Sequence, residues 1–352
     1  MRQTDRTILT NGRVHTPVGI ADSLTFEAGR IVETGGQLSD AVPGAYGDGA
    51  KVIDLHGMTA LPGFCLGFGD AGLVSRAASQ SAESDFEGDH PSDEEISALL
   101  KAYAPKIAAM GVTEIWSDDT AMFGYDFRRM IDFFINSVSF EDLPFRLRAD
   151  LKFQDVDSLN DFLSEGWRTG DGVPFFQIGA VTCGAGSEQD ALIAMNAHMA
   201  GMQLCIAAPS QDDDNVLTLL EQLHSQRNAG SRHLITRDGR RWENIMKKGV
   251  VLSARLGRDG VESPMSGIQA AVTGDDSDGR RMSVAEAISL YTWNAAWNGR
   301  NERRRGELAV GRDADIVILE RDPFGVNVSE IGSIEVAMTI CGGCVTYDAG
   351  KL

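Results

Sequence analysis

Few residues in this chain have the types needed for metal or proton chemistry. Six histidines are present, His15, His56, His90, His198, His224 and His233, scattered along 352 residues. Five cysteines, an odd number, do not make a disulfide framework. Cys341-Gly342-Gly343-Cys344 has the CxxC spacing but no second Cys or His pair beside it, so it reads as a tight Gly-Gly hairpin between two small apolar side chains. Asp70, Asp118 and Asp119 could offer oxygens to a cation, although Ser117-Asp118-Asp119-Thr120 reads equally as a helix cap or a solvated loop. The acidic run 83–95 reads as a solvated loop leading into a helix. Cys183 and Ser253 lie near predicted strand ends without an evident His partner in sequence. Gly184-Ala185-Gly186-Ser187, before a predicted helix, is either a plain turn or an anion seat at a helix N-terminus. Arg237 and Arg255, both at predicted strand ends, could hold an anionic ligand.

Composition narrows the classes. Lys and Arg number 32 against 51 Asp and Glu, a net charge of −19, which speaks against binding a phosphate backbone. With 43% hydrophobic and 24% charged residues the chain is of ordinary globular composition, long enough for a substantial core. No stretch approaches the roughly 18 apolar residues of a membrane span, and the first residues lack the apolar core of a secretory signal. The expectation is a cytoplasmic protein without nucleic-acid or membrane partners.

The elements that must position these residues fall into two kinds. The first 57 residues read as short strands (7–9, 14–15, 23–26, 30–34 and 51–55) around Gly-containing turns, and the last 47 repeat that pattern with strands at 315–319, 335–340 and 345–347. Two strand-rich ends predict one small β-sandwich domain, 1–57 with 305–352. The middle, 58–304, alternates strands at 59–65, 112–116, 145–151, 175–183, 203–208, 233–236 and 250–256 with helices. Those helices are read at 125–138, 157–167, 188–200, 215–226, 242–248 and 284–297, besides one opened by the capping box Ser92/Glu95 and kinked or interrupted at Pro105. A second capping box, Ser283/Glu286, opens 284–297. The reading is α/β, a TIM-like (β/α) barrel with seven strands and a shortened or degenerate eighth, since 257–263 is too polar and Gly-rich for a core strand. A missing stave leaves a backbone edge that recruits a partner.

Five segments carry a family resemblance. Asn11-Gly12-Arg13-Val14, Val52-Ile53-Asp54-Leu55-His56-Gly57 and Leu61-Pro62-Gly63-Phe64 resemble the lead-in to an amidohydrolase-superfamily barrel, and 306–319 resembles that superfamily's return into its β-sandwich. The segment 285–296, with Tyr291-Thr292, resembles the branch containing N-substituted formamide deformylases. The resemblance implies a divalent metal at the C-terminal strand ends: His-any-His after the first strand, a bridging Lys or carboxylate after the fourth, single His after the fifth and sixth, and Asp after the eighth. It also implies hydrolysis of carbon–nitrogen bonds.

The matching positions here are degenerate. Phe68-Gly69-Asp70 stands in the first slot, Thr182 in the bridging slot, Ala207 in the fifth-strand slot and Arg237 in the sixth; the eighth falls in the shortened region. His233, beside Arg237, has no metal role in the pattern, and His198 and His56 lie away from strand ends. The expectation is therefore no metal and no other cofactor. The chain reads as a non-catalytic homologue, either a structural or regulatory subunit or a small-molecule binder, as a homo-oligomer or with an active amidohydrolase. The alternative is an active hydrolase of small or cyclic amides with a relocated site at Asp70, Asp118 and Arg237.

Overall fold

The computed structural model describes residues 6–35, 49–68, 72–81, 90–138, 142–184, 186–208, 218–219, 223, 234–237, 255–256, 263–274 and 281–352. Two compact units divide the chain: Met1–Leu66 with Ala104–Glu114 and Arg258–Leu352, and Gly67–Tyr103 with Ile115–Gly257. The predicted helix 242–248 and most of 215–226 lie outside the described residues.

In the first unit, β1 (Thr7–Thr10), β4 (Leu24–Glu27), β5 (Arg30–Thr34) and β6 (Lys51–Asp54) form a sheet of order β5-β4-β1-β6. A second sheet has the order β18-β17-β16-β7-β2-β3, from β2 (Arg13–Thr16), β3 (Gly19–Ala21), β7 (Thr59–Pro62), β16 (Ile316–Leu319), β17 (Val336–Cys341) and β18 (Cys344–Asp348). Both ends of the chain thus contribute strands to this sheet. Alternating apolar residues of the two sheets, among them Leu9, Phe26, Val14, Ile316 and Ile340, close on a common core.

The stretch 59–65, read as one strand, is two. Thr59–Pro62 pairs with β16 and β2, while β8 (Phe64–Phe68) belongs to the parallel sheet. The switch falls at Gly63, whose amide bonds the Asp315 carbonyl at 2.9 Å while the Phe64 amide bonds that of Gly111 at 2.9 Å. A Cβ on Gly63 would lie 2.4 Å from the Thr113 side chain, so only glycine passes there. The Gly342-Gly343 hairpin is as predicted: φ of 56° and 79° are the left-handed values of a type I′ turn, and Cys341 pairs with Cys344.

The parallel sheet has the order β14-β13-β12-β10-β9-β8-β15, with the short β11 (Gly172–Val173) paired to β12. Among the described residues its strands are β8, β9 (Val112–Asp118), β10 (Arg146–Lys152), β12 (Phe176–Cys183), β13 (Leu204–Ala208), β14 (Leu234–Arg237) and β15 (Arg255–Leu256), each overlapping a stretch read as a strand. Among the described residues, β14 and β15 end the order.

Helices depart from the reading in several places. Helix α2 (Asp93–Ala109), following α1 (Leu73–Ser79), runs through Pro105 without interruption; its Ser92/Glu95 capping box is formed, with 2.7 and 3.2 Å bonds. The segment 125–138 is α3 (Phe127–Asp132), begun by Asp126 capping Arg128 and Arg129, and a turn of π-helix, Phe133–Ser137. Beyond α4 (Val156–Ser164), α5 (Glu188–Met199) and an unforeseen α6 (Pro264–Thr273), the last long helix splits into α7 (Val284–Tyr291) and α8 (Trp293–Asn298) at Thr292. There φ is −126° and ψ −96°, and the buried Thr292 hydroxyl back-bonds the Ile288 carbonyl at 3.0 Å.

Charge is buried in this unit. Arg305, 6% exposed, donates from Nη1 to Glu114 Oε2 and from Nε to Asp313 Oδ2 at 3.3 Å, with Asp315 Oδ2 at 3.8 Å. Asp315 also accepts the Gly342 amide at 2.6 Å, fixing the hairpin. Removing the guanidinium takes the shared buried cation from three buried carboxylates, so Arg305→Ala is expected to cost about 3–5 kcal/mol. Urea denaturation at neutral pH measures it; a loss below about 1 kcal/mol would show the cluster solvated.

Candidate functional site

The C-terminal ends of the parallel strands lie side by side. Lys152 on β10 stands in register with Thr182 on β12, and Thr182 with Cys205 on β13. Ala208 pairs with Arg237 on β14, Ala207 with Thr236, and Phe68 on β8 with Leu256 on β15. Phe68, Thr182, Ala207 and Arg237 therefore all stand at strand ends of one sheet, and Asp118 ends β9. Arg237 and Arg255 sit on β14 and β15, at opposite ends of the described strand order, so no described pairing joins them. Asp70, His233 and Ser253 lie outside the described residues.

Thr182 faces the same way as Lys152 because of a bulge. Arg148 pairs with Gln177, yet Lys152 pairs with Thr182, so β12 carries one more residue than β10 over that span. Gly179 and Ala180 are the extra pair opposite Asp150. The buried Asp150 carboxylate accepts the Ala180 amide at 2.7 Å, the donor that the bulge takes out of the ladder. A Cβ on Gly179 would lie 2.1 Å from Asp150 Oδ1. Without the extra residue Thr182 would turn to the other face.

Beneath the strand ends this face is filled by polar side chains. Arg148, 3% exposed, donates from Nη2 to Gln203 Oε1, lies 3.8 Å from Asp150 and rests 5.2 Å from the Trp116 ring. The signal was in the sequence: Arg146, Arg148, Asp150 and Lys152 alternate with Leu147, Ala149 and Leu151. That puts charges on the face a barrel strand usually fills with apolar groups. Lys152, exposed at the end of that row, was missed because its neighbours in space come from other strands.

Asp118 and Asp119 have separate jobs. Asp118 Oδ1 accepts the Thr120 hydroxyl at 2.6 Å and amide at 3.2 Å, and the Thr120 hydroxyl also receives the Lys152 amide at 3.0 Å. Burial pushes the Asp118 carboxyl above its ordinary range, opposed by these bonds, by the Thr182 hydroxyl and, at longer range, by the Lys152 ammonium. Asp119, 2% exposed, accepts the Val74 amide at 2.8 Å and the Ser117 hydroxyl at 2.5 Å, while Ser117 Oγ takes the Leu73 amide at 2.6 Å. These bonds satisfy the first amides of α1, so Asp119 serves as a remote helix cap in a fully packed site. At Gly72 a Cβ would lie 2.1 Å from Asp119 Oδ1.

Other candidates are spoken for. Burial pushes the Cys183 thiol up to about 12, with the Asp190 charge adding to it, so it is no thiolate nucleophile at neutral pH. The turn before α5 is closed by the protein's own carboxylate: Asp190 accepts the Gly184 amide at 2.9 Å and the Ser187 hydroxyl at 2.6 Å. His198 is buried on α5, and His56 is exposed beside Asp54 at 3.3 Å. The acidic run 83–95 lies largely outside the described residues.

A divalent ion in such a sheet needs several imidazoles or carboxylates converging on one point. At the described strand ends there is one carboxylate, Asp118, already bonded to Thr120 and facing an ammonium and a hydroxyl. Among the described residues no group of three or more His, Cys, Asp or Glu is placed to hold a metal. The described donors do not fit a divalent centre. No helix among them is long and apolar enough to cross a membrane.

Burial, against its hydrogen bonds, raises the Asp119 carboxyl from 3.8 to about 6. A raised acid binds its proton more tightly in the folded state, so its contribution is fully present below about pH 4 and lost as pH rises through about 6. The span corresponds to about 3 kcal/mol. Asp119→Asn is expected to flatten the stability curve between pH 4 and 7 relative to wild type, read by urea titrations across that range; parallel curves would contradict the assignment.

Residues 199–347 match a family model described as "Amidohydrolase family". "Putative amidohydrolase YtcJ" of Bacillus subtilis (strain 168) is 31% identical over 119 residues, 30% of this chain; the match spans about a fifth (22%) of that relative's length. An adenosine deaminase from Xanthomonas campestris, solved with bound zinc, superposes with a TM-score of 0.70 at 13% identity, covering 100% of this chain and 95% of that one. An uncharacterized metal-dependent hydrolase from Pyrococcus horikoshii OT3 gives 0.66 at 14% identity, covering 92% and 99%. At such identities the structural likeness speaks for the fold. With the lead-in and return motifs in their expected strands, the chain is similar to the amidohydrolase family over residues 199–347 and shares the fold of these metal-dependent hydrolases.

Proposed function

We propose that this chain is a non-catalytic member of its superfamily, working without the ancestral divalent metal. It acts as a structural or regulatory subunit, self-associated or paired with an active amidohydrolase, or as a binder of a small molecule at the C-terminal strand ends. In this reading it is cytoplasmic. Its parallel sheet is a (β/α) barrel, 58–304, short of a full eighth strand, and its two mixed sheets compose a β-sandwich from 1–57 and 305–352.

One observation carries the reading. The strand ends where the resemblance calls for imidazoles and a bridging group bear Phe68, Thr182, Ala207 and Arg237, in the register of one sheet. An ion that activates water needs lone pairs there. A phenyl ring and a methyl offer none, and a guanidinium repels it. Expression with zinc, iron and manganese supplied, followed by dialysis and elemental analysis, is expected to give substoichiometric metal. One bound ion per chain would overturn the reading.

A second reading is favoured by Asp118, whose buried carboxyl stands beside Lys152 and Thr182 as a proton-transfer group would. In it the chain hydrolyses carbon–nitrogen bonds of small or cyclic amides at a relocated site that includes Asp70, Asp118 and Arg237. A panel of amides, lactams and formamides decides between the two. The non-catalytic reading expects no turnover above the buffer rate, whereas turnover abolished by Asp118→Asn would establish the hydrolase.

A further inference from the structure

We infer that the strand ends around Lys152 and Thr182 form a seat for the anionic group of a small molecule, a carboxylate or a phosphate. The inference deepens the non-catalytic reading above and rests on it for the site being free of metal.

Lys152 is the observation that drives it. Its backbone is held, because the amide donates to Thr120 Oγ1 at 3.0 Å, and its ammonium is exposed at the end of the strand. No carboxylate of the described residues lies within 4.0 Å of it, although 51 acidic residues outnumber the cations of this chain. Asp118 is near enough to feel its charge but spends one oxygen on two bonds from Thr120. A cation left open on so acidic a protein costs nothing to keep hydrated, and it becomes useful when a charge-assisted bond replaces that water.

The groups around it suit an anion. Thr182, in register with Lys152 through the bulge, holds a hydroxyl that is shut off from solvent and makes no hydrogen bond of good geometry, with the Asp118 carboxylate as its nearest acceptor. A ligand oxygen would accept that donor, satisfying a group that is otherwise costly to bury. Asp118 is the one carboxylate at the described strand ends, against Lys152 on the face it shares with Thr182. Beneath them Arg148 is committed to Gln203 and Asp150 and serves as floor.

The test uses the purified full chain with inorganic phosphate, acetate and succinate as probes, and acetamide and succinamide as neutral controls, by thermal shift and calorimetry. Saturable binding of at least one anion is expected, phosphate and the two carboxylates separating the two ligand sources. Lys152→Met should weaken it about tenfold or more, Thr182→Val less, and Lys152→Arg should retain it. No saturable binding by any anion, or undiminished binding by Lys152→Met with an unchanged melting temperature, would overturn the seat. Lys152 is exposed, so its replacement leaves the fold intact. Metal content and amide turnover are measured on the same preparations. One metal per chain with Lys152-dependent anion binding would remove the non-catalytic reading and keep the seat, whereas anion binding abolished by a chelator would assign the anion to a metal and overturn it.

Discussion

The Asp150 carboxylate accepts the Ala180 amide at 2.7 Å, and the geometry of the strand ends follows from that bond. A bulge inserts one residue into β12, and in a strand one residue is the difference between facing in and facing out. The amide it frees from the ladder would be an unpaired buried donor if no side chain came to meet it. Gly179 leaves the room for that side chain and Asp150 fills it. Thr182 then stands beside Lys152, and Lys152 beside the loop that Asp118 and Thr120 hold closed. The site is thus a consequence of one extra residue and the carboxylate that pays for it.

Buried charge recurs in both units, answered differently each time. Arg305 meets Glu114, Asp313 and Asp315, an excess of negative charge that Arg30 and Arg304 offset from the exposed side of Asp313. Asp119 meets no cation and keeps its place through backbone amides and one serine hydroxyl, at the cost of a raised carboxyl pKa. Arg148 is answered by an amide side chain, a carboxylate and an indole face. These arrangements serve the scaffold. At the strand ends Lys152 alone of this group is exposed, with the Thr182 hydroxyl and the Asp118 carboxyl buried beside it.

The scaffold and the strand ends of this chain therefore point in different directions. The Gly63 passage between sheets, the hairpin at Gly342-Gly343 and the turn around Arg305 belong to the scaffold. Each is fixed by sterics or by buried hydrogen bonds that tolerate little change. Side chains at the mouth of a sheet carry no such constraint, because solvent accepts them in almost any combination. A protein can keep the first set while the second drifts, which is why likeness of fold leaves activity open.

Amino-acid order alone determined the strand-rich ends, the seven parallel strands, the capping boxes and the type I′ hairpin. Each rests on local periodicity or on conformations only glycine adopts easily, and local rules are written in consecutive residues. The same order exposed the shortage of imidazoles at 68, 182, 207 and 237. It did not show the division of 59–65 at Gly63, the passage of α2 through Pro105 or the break at Thr292. Those depend on what packs against the backbone from more than forty residues away, as Thr113 does on Gly63, or on a side chain's choice of a carbonyl. Lys152, the bulge and the capping role of Asp119 were likewise decided by tertiary structure. Facing direction, burial and hydrogen-bond partners across strands come into being only when the sheet assembles.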